Sequence, residues 1–209
     1  ISVFIKRLLF PLFLPTIILG EIMKFKRVDC IAGLFFVLAT IAIITVFFTN
    51  KTFFEWAFTR HQNTLSWYIR LLFIIPIVIG AYKKSYSVIF ASVFSLFTSM
   101  FWFPVPATAD ERITGFLNFE KDYLTSGWAA DKIFVVIAVI LFFAFIIYTT
   151  WQRKWKLLVW VVVLGAVLKI IHSLIFGGKD GLSIVKPALL GLAVCIAAII
   201  FMAIKKRKR

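Results

Sequence analysis

The chain has 209 residues, of which 62% are hydrophobic and 16% charged, and its formal net charge is +15. A soluble domain is typically about 45–50% apolar, and one core of this size cannot hide the excess, so lipid is the solvent for much of the surface. The positive charge falls in short clusters between long apolar runs, a pattern that orients membrane helices and leaves no soluble domain for nucleic acid.

Residues 1–27 are apolar and basic but lack a small-residue cleavage site of the signal-peptide kind. Pro11 and Pro15 interrupt the stretch, and Lys6 and Arg7 crowd its start. The expected structure is an amphipathic segment lying in the interface or re-entering it; a further span is the alternative.

Six apolar runs follow, at 28–48, 66–82, 85–103, 131–148, 155–176 and 183–204. Each approaches the roughly 20 residues needed to cross a bilayer core. In lipid every backbone N–H and C=O must be satisfied within its own segment, so these runs are helices despite their β-branched and aromatic content. The expected fold is all-α: a polytopic bundle of six transmembrane helices over 28–204, with an outer amphipathic helix and a basic tail at 205–209.

The loops orient this bundle. Lys24, Lys26, Arg27, Lys83, Lys84, Arg153, Lys154, Lys156 and the tail fall on one side if all six runs cross. The positive-inside rule makes that side cytoplasmic, with both bundle ends inside. Glu55, Asp110, Glu111, Glu120, Asp122, Asp131 and Asp180 fall on the other side. A bacterial cytoplasmic membrane is the expected location. Membrane lipids are the expected partners, with anionic lipid at the basic tail. A second copy or partner membrane subunits are further candidates.

The outer loop at 49–65 carries Thr52 and Glu55 at capping-box spacing, which predicts a short aromatic-rich helix. In the outer loop at 104–130, Pro104 and Pro106 stop the third run and Thr108 or Asp110 can cap a new helix. At about 100° per residue, Ile113, Phe116, Leu117, Tyr123 and Leu124 share one face of that helix. Glu120 falls near the middle of the same face, where a carboxylate must find a partner, protonate, or reach out to water.

Gly165, Lys169, His172 and Ser173 share one face of the fifth run. Ionisable groups inside a span are functional candidates by default. One reading turns Lys169 and His172 toward the protein interior, paired with Glu120, Glu55 or Asp180. The other lets Lys169 snorkel outward and leaves His172 neutral at the interface. Arg70, one turn into the second run, joins Lys169, His172, Glu120 and Glu55 as the candidate binding residues for an ion or small anionic solute. Ser92, Ser95 and Ser99 stripe the third run, either as close-packing residues or as a hydrophilic pathway. Gly191, Cys195 and Ala198 stripe the sixth and read as packing.

There is no P-loop, G-x-S-x-G or H-E-x-x-H motif. Cys30 and Cys195 form no metal or redox spacing. With two histidines in all, no metal and no cofactor is expected, and catalytic residues stay unassigned. Three functions follow as expectations. The first is a small channel or transporter whose outer-half charges form the entry site. The second is a non-catalytic subunit or scaffold, supported by small size and by the lack of any recognised mid-membrane break. The third is an enzyme acting on a lipid-linked substrate, with Glu120 and His172 as an acid–base pair.

Overall fold

A computed structural model describes residues 25–127 and 129–205. Among these, every regular element is helical and no strand is present. The protein is a helical membrane bundle. Among the described residues five segments are long and apolar enough to cross a membrane: Phe25–Thr49, Leu65–Lys83, Ala130–Trp151, Trp155–Gly177 and Asp180–Lys205. They match five of the six expected spans. The expectation of an interfacial segment over residues 1–27 falls, up to residue 24, outside the described residues; so does the tail beyond Lys205.

The first span is the described part of α1 (Ser2–Thr49). Only Asn50 separates it from α2 (Lys51–His61), and the Asn50 side chain accepts a hydrogen bond from the Phe53 N–H at 2.9 Å. Asn50 is thus the cap, not the expected Thr52–Glu55 box; with α1 running to Thr49, the new helix begins too early for Thr52 to precede it.

The second span is broken. Helix α3 (Leu65–Leu72) and helix α4 (Ile74–Lys83) meet at Phe73. The cause is Pro76, which has no N–H for the Leu72 carbonyl and whose ring crowds it. The expected absence of a mid-membrane break is therefore corrected.

The third run is shorter than expected. Helix α5 (Tyr86–Thr98) tightens into a 3-10 turn at Ser99–Phe101 and stops there. This 16-residue, largely apolar helix, Tyr86–Phe101, covers roughly 24 Å at 1.5 Å per residue, against about 30 Å of hydrocarbon. Its ends nevertheless lie in the same two layers as those of the long helices. At one end Asp29 of α1 accepts from the Ser85 hydroxyl (2.6 Å), the Tyr86 N–H (2.8 Å) and the Ser87 N–H (3.2 Å). At the other, the Phe101 carbonyl accepts from Arg60 Nε at 2.7 Å. Asp29 thereby places a carboxylate on the N-terminus of α5, where the helix dipole favours it.

The remaining helices are α6 (Glu111–Thr125), α7 (Ala130–Trp151), α8 (Trp155–Gly177) and, after a 3-10 segment at Asp180–Ile184, α9 (Val185–Arg207). The broken span stands at the centre. Helix α4 packs against α5 and α7, α3 packs against α9, and α8 packs against α7 and α9. Helix α1 is the edge, held along α5 and touching α2. Gly33 and Gly80 let α5 approach closely on both sides: a Cβ at Gly33 would meet Tyr86 Cβ at 2.9 Å, and one at Gly80 the Ile89 nitrogen at 2.9 Å.

Two apolar cores are stacked along this bundle. The membrane core joins Ile74, Ile77 and Val78 with Ile146, Leu158, Val162, Cys195 and Ile199. The cap core joins Phe54, Phe58 and Trp67 with Ile113, Phe116 and Leu117. We call the second end the cap end and the opposite one, with Lys83, Lys84, Arg153, Lys154 and Lys156, the basic end.

Candidate functional site

Helix α6 builds the roof of the cap end. Asp110 caps it, its carboxylate accepting from the Arg112 N–H at 2.8 Å, one of the two caps expected. Ile113, Phe116 and Leu117 turn inward as expected, whereas Leu124 on the same predicted face is exposed because the helix ends at Thr125, beyond the reach of α2 and α3. Lys132 closes the far end of α6, donating to Ser126 Oγ (3.0 Å) and the Gly127 carbonyl (2.5 Å) while lying over the Tyr123 ring. Sequence reasoning missed this buried lysine. The Ser-Gly helix stop just before it was the available signal.

Glu120 projects from α6 toward α8, and its Oε1 accepts from Lys169 Nζ at 3.2 Å. Lys169 does not turn into the interior, however. Half of its side chain is exposed, and its stem runs up past the Phe116 ring, with Nζ 5.8 Å from the ring centroid. The reason is length: from two turns below the end of α8 the side chain reaches Glu120 without entering the packed core. The two sequence readings thus merge, since Lys169 both snorkels and pairs.

Glu55 is not part of this pair. It bonds Lys121, tying α2 to α6. Asp180 does not join it either; its carboxylate occupies the space left by Gly115, where an added Cβ would lie 2.3 Å from Oδ2. His172 packs its ring between Tyr123 (centroids 5.9 Å apart) and Phe176 (4.8 Å). Among the described residues it makes no hydrogen bond to Glu120, so the expected acid–base pair is not assembled. Its neighbour Ser173 is fully buried, with an unpartnered hydroxyl among the described residues.

Arg70 completes the layer. It is partly buried in α3, one turn before the break at Phe73, and its Nε is buried with no hydrogen-bond partner among the described residues. Glu120 lies within electrostatic reach of it. Beside it stands His61, the last residue of α2, 5% exposed. Burial holds the His61 imidazole well below its ordinary pKa, and the positive charges of Arg70 and Lys169 push in the same direction. The ring is therefore neutral. The Ser66 hydroxyl donates to the Asn63 carbonyl (2.7 Å), which leaves it to accept from His61 Nδ1 (2.7 Å) and fixes the proton on Nδ1. The Trp67 indole donates to the His61 carbonyl at 2.8 Å. His61 falls within the outer loop expected at 49–65, and nothing in its local sequence singles it out.

No protein-family model, no curated protein and no solved structure matches this chain.

The remaining expected site residues lie on α5 and the 3-10 turn that ends it. Ser92 donates to the Val88 carbonyl at 2.6 Å and Ser99 to the Leu96 carbonyl at 2.7 Å, and both are buried. Their hydroxyls are satisfied by their own helix, as a packing stripe requires. Ser95 lies half-buried on the same helix. Gly191 packs against Leu71, and Cys195 reaches the Leu71 carbonyl at 3.5 Å, which joins α9 to α3. Among the described residues no group of three or more His, Cys, Asp or Glu side chains is placed to hold a metal.

Around Arg70 and Lys169 the layer holds a neutral His61 and two carboxylates, Glu120 and, beside Tyr123 and His172, Asp131. What such a layer can do chemically is accept an oxyanion, which would supply the acceptor that Arg70 Nε lacks among the described residues.

Proposed function

We propose that this chain is a bacterial cytoplasmic-membrane protein, with its basic end inside, that takes a small oxyanion at its cap end as the entry site of a small channel or transporter. The observation that carries this reading is the unpartnered, buried Nε of Arg70 one turn from the break between α3 and α4. Broken helices are a recurring place for substrates in transporters, because a break frees backbone groups and provides a joint. The apolar membrane core and the self-bonded Ser92 and Ser99 argue for a route that opens by movement at this joint rather than a standing pore.

The test is uptake of inorganic phosphate and of sulfate by proteoliposomes. The expected result is flux for at least one of them, lost in Arg70→Gln with thermal unfolding of the variant unchanged. Absence of flux together with absence of any anion-dependent stabilisation would sink the reading.

A second reading, a subunit of a larger membrane assembly, is favoured by α1. Its described apolar stretch is only 6% buried within the chain, and it is held along a single neighbour. Such a helix suits a partner as well as it suits lipid. Co-purification of a second membrane chain that is lost when bulky residues replace Leu34 and Leu38 on its exposed face would support that reading.

A further inference from the structure

The basic end carries an apolar groove that the proposed cap-end site does not use. It lies along the seam between α8 and α9, with a volume of about 280 Å³. Helix α8 contributes Trp155, Lys156 and Val159, and α9 contributes Ile199, Ala203 and Ile204. A space so apolar does not suit ordered water, which needs two to four polar partners; its lining suits hydrocarbon. From Ile199 to Ile204 the groove follows α9 for roughly 7.5 Å along the membrane normal.

The mouth of the groove is basic. Three of the nearby cations are each held over a ring: Lys84 over Trp151, Arg153 over Tyr82 and Lys154 over Tyr148. Lys156 has no such ring, no ion pair and no hydrogen bond among the described residues, and it is exposed at the groove. It also sits in the first turn of α8, whose N-cap residue Lys154 supplies no side-chain acceptor. The Lys156 and Leu157 N–H groups find no acceptor among the described residues. Asp29, the acid described at this end, is occupied with Ser85, Tyr86 and Ser87. Among the described residues, an ammonium without a partner and open helix N–H groups stand at an apolar groove with no carboxylate beside them.

We propose that this groove binds an anionic phospholipid of the leaflet facing the basic end: one acyl chain lies between α8 and α9, and the phosphate sits on Lys156 and the N-terminus of α8. Charge complementarity selects the headgroup, because a neutral zwitterion would bring its own cation to a site already rich in them. The Trp155 ring, packed on Tyr82 with centroids 5.8 Å apart, forms the wall at the interface where the glycerol backbone passes.

The experiment uses the full chain in detergent, supplied with equimolar phosphatidylglycerol and phosphatidylcholine, and reads retained lipid by native mass spectrometry. Phosphatidylglycerol is expected to be retained over phosphatidylcholine by about fivefold, the worth of one lysine at an anionic surface. Lys156→Gln is expected to abolish the preference and Lys156→Arg to keep it. Ala203→Phe, which fills the groove, is expected to lower retention of both lipids. Lys156 is exposed, so its variants fold, and thermal unfolding checks Ala203→Phe. Equal retention of the two lipids, or a preference that survives Lys156→Gln, overturns the proposal. Displacement of the preference by millimolar inorganic phosphate, with Ala203→Phe without effect, would overturn the acyl-chain part and leave a bare phosphate site. None of these outcomes depends on anion flux at the cap end.

Discussion

The ammonium of Lys169 reaches Glu120 while half of its side chain stays exposed. That exposure decides the energetics. An ion pair open to a high-dielectric surround contributes about 0.2–1 kcal/mol, far below the 3–5 kcal/mol of a broken buried pair. Lys169→Ala is therefore expected to leave the fold intact, and a double-mutant cycle with Glu120→Ala should give a coupling under about 1 kcal/mol in thermal unfolding. His61 behaves differently because it is buried. Its folded pKa is lowered, so below about pH 6.5 the unfolded chain takes up a proton that the folded chain refuses. Stability is thus unaffected by this group above that pH and is lost as pH falls through and below it, by up to about 1.4 kcal/mol per pH unit. Unfolding curves at pH 7.5 and 5.5 should diverge for the native chain, and His61→Gln should narrow the gap. Lys169 and Glu120 were legible in the sequence because each breaks an apolar pattern. His61 was not, since its burial depends on Trp67, Ser66 and the roof of α6 coming together.

At the scale of elements, the contact between Asp29 and α5 is the clearest case of one helix completing another. Asp29→Ala removes the acceptor for the Tyr86 and Ser87 N–H groups and is expected to cost about 1–2 kcal/mol, the range of a lost helix cap; Ser87→Ala should cost less, since the backbone contacts remain. Gly181 tests the turn between α8 and α9. A Cβ there would lie 2.0 Å from the Ser173 carbonyl oxygen, a backbone atom that cannot swing aside. Gly181→Ala is expected to cost at least about 3 kcal/mol, at the upper end of overpacking. Gly127→Ala, at φ +84° with open space around it, should cost about 1 kcal/mol from backbone strain alone. The helices themselves could be read from the sequence because lipid leaves the backbone no other choice. The break at Phe73 was also written there, as Pro76, but unbroken hydropathy across residues 66–82 concealed it. The early stop of α5 was legible only in part: Pro104 bars helix at Phe103, but Phe101 and Trp102 are as apolar as the helix before them.

For the whole molecule, the two-ended distribution of charge predicts its sidedness. In intact cells a membrane-impermeant thiol reagent should label Asp122→Cys and should label Lys83→Cys only after permeabilisation; the reverse pattern would invert the topology and move the proposed anion site to the cytoplasm. The partnering of the cap-end acids was beyond the sequence for a reason of distance. Glu55 and Lys121 are 66 positions apart, and nothing local says that α2 and α6 lie side by side. The same separation governs how the chain is built. Asp29 is synthesised 56 positions before Ser85, so α1 enters the bilayer ahead of the helix that holds it. Until α3, α4 and the start of α5 have followed, the Asp29 carboxylate has no donor from α5 and the Gly33 face has no neighbour. Nascent chains released before Ser85 should therefore present α1 as an unfastened helix, the form that a membrane quality-control protease or an insertion chaperone would meet first.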